Sequence, residues 1–402
     1  MWCGPQFDRF NERLKLDTAR RGRIDSALSH FDAFCRQNDQ LKVALAEAPF
    51  LQGSVATNTA IRPLVGDEFD VDVVYGFQLL LFKEEHRKPM PIFGWFVSRV
   101  QEDEYYRTRL IRKNRCVRIN YAGDFHVDII PSTTEATGYQ PYAVPARDLS
   151  DWTANDPKGF SQWVRRRDVA SGLVDASGDG VFVRCVRYMK RWRDQFFGDD
   201  TAMSSLLLTT VLGKHEASQK NYQPPLPDPL FPQYQTDAAY LYDLARLTYS
   251  CLIQPTPGAF QHPTLTAENL ARDLDAQGLS LFLTRLDSFI GHLRTAIWAK
   301  TDAEAISSYR KAFGNTFPEC VGPRFGYSAL MVAVCGALLP LPSWPSLSEL
   351  AGTRSAIPLT LSLARQRGES SRSHWHSVNR LRESNGSIAN APSRCSLAPR
   401  AP

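Results

Sequence analysis

Residues 52–74 read QGSVATNTAIRPLVGDEFDVDVV, and the end of this stretch decides the fold. From Phe69 to Val74 acidic and apolar residues alternate, which is the pattern of a β-strand. Side chains two apart on a strand project from the same face, so Asp70 and Asp72 stand roughly 7 Å from each other. Val71, Val73 and Val74 would anchor that strand in a core. Two carboxylates side by side repel, and a fold keeps them together when a cation compensates. Asp128, in His126-Val127-Asp128-Ile129-Ile130, offers a third carboxylate on another apolar strand. Such a set suits two-metal phosphoryl chemistry, in which one ion activates a hydroxyl and the other neutralises a leaving pyrophosphate. Mg²⁺ fits best, since it takes a few carboxylates and fills its shell with phosphate and water.

A lone D-x-D pair is common on solvent-facing strands. The order of features is more specific. Gly53-Ser54 follows the apolar approach of residues 48–51 and can open a short helix. Glycine permits close backbone approach, and the serine hydroxyl and exposed N–H groups can hold phosphate oxygens. Gly-Ser, a D-x-D strand and a third Asp on a later strand together predict a nucleotide site. Asp67 and Glu68 are read as preceding the strand and not as ligands.

Outward from this stretch, residues 7–48 carry Phe7, Phe10, Leu14, Ile24, Leu28 and Phe31 at helical steps. Residues 116–121 alternate again and pair with 125–130 as an antiparallel hairpin about Gly123-Asp124. After about residue 155 strand signals fade. Helices are predicted at 181–197, 202–214, 238–253, 279–300 and 302–313, the last ended by Gly314. Residues 222–232 hold five prolines and predict a loop. The fold class is therefore α+β: a mixed front half and an all-helical second half, without internal repeats.

Composition sets the outer limits. The chain has 402 residues, 43% hydrophobic and 22% charged, with net charge +5. Mean hydropathy of −0.31 excludes a polytopic membrane protein. The apolar run at 329–339 falls short of the roughly 20 residues of a spanning helix. The N-terminus lacks an apolar leader segment, so a cytoplasmic location is expected. The eight cysteines form no CxxC pair and read as reduced thiols. Residues 341–402 hold 13 Ser, 8 Arg and 3 acids, a composition that predicts disorder. That tail carries the whole net charge, because residues 1–340 hold 39 basic and 39 acidic residues.

The run 52–74 resembles the active-site signature of the DNA polymerase β-like nucleotidyltransferases. It is most similar to the cGAS/DncV-like branch, the CD-NTases of bacterial CBASS anti-phage systems. Gly53-Ser54, Thr59-x-Ile61-x-Pro63 and Glu68-Phe69-Asp70-Val71-Asp72 carry the resemblance, with Asp128 matching the third metal ligand. It implies a sheet lobe and a helical lobe closing on a cleft: a catalytic core with N-terminal helices at 1–155, a helical domain at 156–325 and a tail at 326–402. Asp70, Asp72 and Asp128 would be catalytic and hold two Mg²⁺ ions, which Mn²⁺ can replace. Gly53 and Ser54 would bind the nucleotide. Residues 186–192 (VRYMKRW) resemble the helix that opens the second domain in this family, and this maps a triphosphate contact onto Lys190. Ser205, beside Ser204, resembles a helix-start serine near the same phosphates; its plain alternative is a helix N-cap.

The implied activity is an enzyme that joins nucleoside triphosphates (ATP or GTP, or pyrimidine nucleotides) into a cyclic di- or trinucleotide with loss of pyrophosphate. Implied partners are a downstream effector in antiviral defence and regulatory proteins, with no membrane and no required nucleic acid. The alternatives are a nucleotidyltransferase that makes linear products or modifies RNA or protein, and a silent nucleic-acid-binding relative. Val55 departs from the pattern, since many relatives carry an aromatic there.

Other clusters read more plainly. Residues 107–118 hold five Arg and one Lys, with Tyr105, Tyr106 and Tyr121 nearby. Such a patch can bind nucleic acid, but charge runs are mostly solvated faces. Arg165-Arg166-Arg167 and the arginines at 187–193 could draw triphosphates toward the cleft. His126 shares a face with Asp128. His374-x-His376 lies in the tail without a partner cluster.

Overall fold

The computed structural model describes residues 3–121, 125–197, 203–219 and 236–319. The expected loop at 222–232, the tail from 326 and His374-x-His376 lie outside the described residues.

The chain opens with helices α1 (Gly4–Leu14), α2 (Thr18–Gln37) and α3 (Asp39–Ala44). Side-chain caps separate them: Asp17 accepts from the Arg20 N–H and Asn38 from the N–H groups of Gln40 and Leu41. Strand β1 (Phe50–Gln52) runs into the one-turn helix α4 (Gly53–Ala56), and β2 (Phe69–Gly76) follows. Helices α5 (Pro89–Val100) and α6 (Glu104–Arg107) precede strands β3 (Leu110–Arg112), β4 (Val117–Asn120) and β5 (Phe125–Ser132). A hairpin of β6 (Tyr142–Ala146) and β7 (Asp151–Asn155) ends the sheet half. Six helices complete the described chain: α7 (Pro157–Ser171), α8 (Val181–Phe197), α9 (Ser205–Gln219), α10 (Asp237–Ile253), α11 (Ala276–Ile297) and α12 (Asp302–Phe313).

The main sheet has the order β1-β2-β5-β4-β3, with β2 and β5 parallel and the other neighbours antiparallel. The β4–β5 pairing is the hairpin expected from sequence. One sheet face buries Val71, Val73, Val117, Ile119, Val127 and Ile129 against α2 and α5. Strand period forces the opposite face to carry Asp70, Asp72, Arg118, His126 and Asp128.

A second core joins α7 to α12. Strand β7 ends at Asn155 and α7 begins at Pro157, and the first helix departs from a grouping by sequence position. Phe7, Phe10 and Leu14 of α1 lie in the helical core. Phe10 stacks on Tyr188 at 5.3 Å between centroids, and Phe7 meets Tyr309 edge to face at 5.1 Å. Large aromatic burial outweighs nearness in sequence, so the first helix packs across to the far end of the chain.

Candidate active site

Strand register builds the site. Asp72 pairs with Asp128 and Asp70 with His126 across the parallel β2–β5 ladder. Arg118 pairs with Asp128 across β4–β5. Residues in register share a face, so all five side chains meet on one surface.

Arg118 clamps the acids. Its Nε donates to Asp128 Oδ1 at 2.8 Å, and its Nη2 to Asp128 Oδ2 at 2.8 Å and Asp70 Oδ1 at 3.1 Å. His126 sits between two carboxylates, with Nε2 against Asp70 and Nδ1 3.0 Å from Glu68 Oε2. Burial opposes a charged imidazole here, yet Asp70 and Glu68 together outweigh it and raise the His126 pKa. The same hydrogen bond, ahead of the charges of His126 and Arg118, holds the Asp70 pKa low. Asp72 goes the other way. Burial first, then the charges of Asp128 and Asp70, push it up to about 7.

Gly53 explains its own identity. Its φ is +64°, and a Cβ built there would fall on Asp72 Oδ2. The turn after α4 is tied down behind it. Thr57 Oγ1 donates to the Gly53 carbonyl at 3.0 Å, and the Thr57 and Thr59 hydroxyls lie 2.9 Å apart. Lys190 Nζ donates to the Thr59 carbonyl at 3.1 Å and to Thr59 Oγ1 at 3.2 Å. Burial, then the nearby Arg193 charge, lowers the Lys190 pKa to about 7. Lys190 is thus brought to the turn that carries Gly53 and Ser54, with its ammonium already engaged.

The other α8 cations are similarly occupied. Arg187 donates to the Asn58 carbonyl from Nε at 2.9 Å and Nη2 at 2.6 Å, and to Asp179 Oδ2 at 2.8 Å. Arg191 donates to the Arg62 carbonyl. Arg184 forms a two-pronged pair with Asp237 at 2.8 and 2.6 Å. All four cations are buried; Arg187, Lys190 and Arg191 brace residues 58–62 against α8 and Arg184 ties α8 to Asp237, so they form no open steering surface. Arg193 is the exception in kind, donating to Ser205 Oγ at 3.0 Å. The helix cap is Ser204, whose Oγ accepts from the Leu207 N–H at 3.2 Å, so Ser205 is not the N-cap. A polar cavity of about 530 Å³ beside α4, lined by Lys15, Arg21, Val55, Asn58, Arg62 and Asp179, touches none of the three acids.

Sequence reasoning missed Arg118, which sat within the basic run 107–118. The run divides in the fold: Arg107 and Arg112 are exposed, while Arg118 turns onto the acids. The hairpin register was the signal that could have found it. Glu68 precedes the strand as expected but contributes by orienting His126.

The donor set suits a hard divalent cation. Asp70, His126 and Asp128 each offer one atom, all within 4.8 Å of one another. Beside them the Asp72 carboxyl is raised, first by burial and then by the charges of Asp128 and Asp70.

Residues 1–168 match the Second Messenger Oligonucleotide or Dinucleotide Synthetase domain. A c-di-GMP synthase of Roseivirga ehrenbergii is 28% identical over 228 residues, covering 52% of this chain and 60% of the relative. The chain thus spans about three fifths of the length of that curated relative. The fold is similar to CdnC of E. coli MS115-1, solved in a CdnC:HORMA-deltaN complex, with a TM-score of 0.60 at 14% identity over 79% of this chain and 99% of that one. It is also similar to the CD-NTase CdnG of Bradyrhizobium diazoefficiens, solved with GTP (TM-score 0.58, 16% identity, 77% and 94% coverage). Vibrio cholerae DncV, a cyclic AMP-GMP synthase solved with nonhydrolyzable GTP, gives 0.57 at 15% identity, with 79% and 96% coverage. These likenesses show the polymerase β-like nucleotidyltransferase fold. Among the described residues no helix is long and apolar enough to cross a membrane.

Proposed function

We propose that this chain, whose residues 1–168 match the Second Messenger Oligonucleotide or Dinucleotide Synthetase domain, is a cGAS/DncV-like nucleotidyltransferase that joins nucleoside triphosphates into a cyclic di- or trinucleotide. The observation that carries this reading is the charged sheet face, where Asp70, Asp72 and Asp128 meet across β2 and β5.

Asp70, Asp72 and Asp128 would hold two Mg²⁺ ions, with Mn²⁺ as a substitute. When bound, such ions activate a ribose hydroxyl and neutralise charge on the leaving pyrophosphate. Residues of the chain do the rest. His126 fixes the orientation of Asp70 through its own bond to Glu68. Gly53 lets the α4 turn approach Asp72 and, with Ser54, presents N–H and hydroxyl groups to phosphate oxygens. Lys190 brings a cation to the base of that turn, and an incoming triphosphate favours its protonated form. Ser205, held by Arg193, would add a hydroxyl from the helical lobe.

In each round a ribose hydroxyl oxygen bonds to an α-phosphorus, the bond to pyrophosphate breaks, and the hydroxyl proton leaves to solvent. A second round within the linear product closes the ring. The product would act on a downstream effector in anti-phage defence, and the HORMA complex of CdnC is the motive for placing a regulatory protein upstream.

The test is incubation with labelled triphosphates and Mg²⁺ followed by phosphatase. A small phosphatase-resistant product is expected. Label found only in phosphatase-sensitive or macromolecule-bound form would contradict cyclisation.

A further inference from the structure

Arg118 engages both oxygens of Asp128 and one of Asp70 with a single guanidinium. Those carboxylates belong to the group whose donor atoms converge within 4.8 Å. The contact is fixed by register, since Arg118 and Asp128 are directly paired on β4 and β5. A forked guanidinium–carboxylate pair is among the stronger polar contacts a protein makes. The Arg118 side chain also keeps 22% of its surface exposed, so solvent reaches the guanidinium.

We propose that Arg118 is a built-in competitor of the divalent cation, holding the same carboxylate oxygens and released as the cation loads. This rests on the metal reading of the acidic face. Three carboxylates meeting on one face need compensation while the protein folds, and Arg118 supplies it from the neighbouring strand. The arrangement makes the site cohesive before loading and lowers its affinity for cation alone. Loading then exchanges one cation for another, so Asp128 is not left facing Asp72 uncompensated. Arg118 is thus a positioning residue for the acids.

The test is Mn²⁺ binding to chelator-stripped full-length protein without nucleotide, read as the decline of the free-ion paramagnetic resonance signal. Arg118→Met is expected to bind Mn²⁺ at least about tenfold tighter than the wild type, since it removes several charge-assisted contacts that compete for the oxygens. Arg118→Lys, which keeps the charge but loses the fork, should fall between them. Equal or weaker binding by Arg118→Met, with the wild type still binding, overturns the proposal alone. Failure of both wild type and Arg118→Met to bind Mn²⁺ overturns the metal reading and the proposal with it. A measurement on the wild type covers the case of variants that do not fold. Hydrogen exchange of the Arg118 Nε–H should quicken when Mg²⁺ is added, and an unchanged rate under saturating Mg²⁺ contradicts release.

Discussion

Two charged regions face each other along residues 53–62, and they solve opposite problems. On the sheet face Asp70, Asp72 and Asp128 crowd like charges together, and Asp72 is pushed up to about 7 by burial first and by that crowding second. On α8 the cations Arg184, Arg187, Lys190 and Arg191 are buried and already bonded to carbonyls or acids. The first surface keeps electrostatic tension and therefore has chemistry left to do. On the second, Arg187 and Arg191 are spent on bracing residues 58–62 and Arg184 on Asp237, while Lys190 is the one assigned to the triphosphate. Charge that looks alike in sequence is functional at the acids and structural at these three arginines, and partner geometry separates the two.

The sharpest way to break this contrast is to remove its two halves in turn. Asp72→Ala and Asp128→Ala should each lower product formation by about a thousandfold or more, measured as pyrophosphate release. The melting temperature of Asp72→Ala should hold or rise, because it relieves repulsion, whereas Asp128→Ala should lose some stability because it strips Arg118 of its forked partner. A loss of stability in step with activity in Asp72→Ala would make that acid structural.

Arg187→Ala should do the reverse. It strips a partner from buried Asp179 and from the Asn58 carbonyl, at a cost of about 3 kcal/mol in denaturant unfolding. A change under about 1 kcal/mol would mean that the brace is dispensable.

Lys190 gives a pH signature. Its pKa is about 7 in the folded protein against 10.5 as the reference value. Between these values the unfolded chain holds a proton that the folded one has lost, so wild-type stability rises with pH. Lys190→Met removes this dependence. Its stability relative to wild type should therefore grow as pH falls from 9 toward about 7, by at most a few kcal/mol, and level off below. A flat difference across that range would show that Lys190 stays charged in the fold.

The smallest effect belongs to Ser205→Ala. Because Ser204 provides the cap, stability should change by about 0.5 kcal/mol or less. A rise in KM of about threefold to tenfold, with kcat nearly kept, is expected if the hydroxyl touches phosphate. An unchanged KM would confine Ser205 to its bond with Arg193.

Legibility in the sequence followed the same divide. Strands β2 and β5 were readable because a strand with one acidic and one apolar face must alternate, and the helices α8 and α12 because their apolar spacing is long and regular. Arg118 lay in plain view, but its meaning depended on hairpin register, which pairs it with Asp128. The β6–β7 hairpin was missed because Pro145 and the polar run DWTAN break alternation. Helix α5 was missed because PMPIFGWF holds two prolines and a glycine, yet Pro89 starts the helix where no N–H is needed. The burial of Arg187 and Lys190 had no local signal. Their partners are 129 and 131 residues away, and only the packing of α8 on residues 58–59 creates them.

The most direct trial of the acidic face is mass spectrometry of the phosphatase-treated product made from all four triphosphates with Mg²⁺, run for the wild type beside Asp128→Ala. The expected spectrum shows a cyclic di- or trinucleotide from the wild type and none from a folded Asp128→Ala protein. A cyclic product of equal yield from Asp128→Ala, or none from the wild type, would contradict the role assigned to that face.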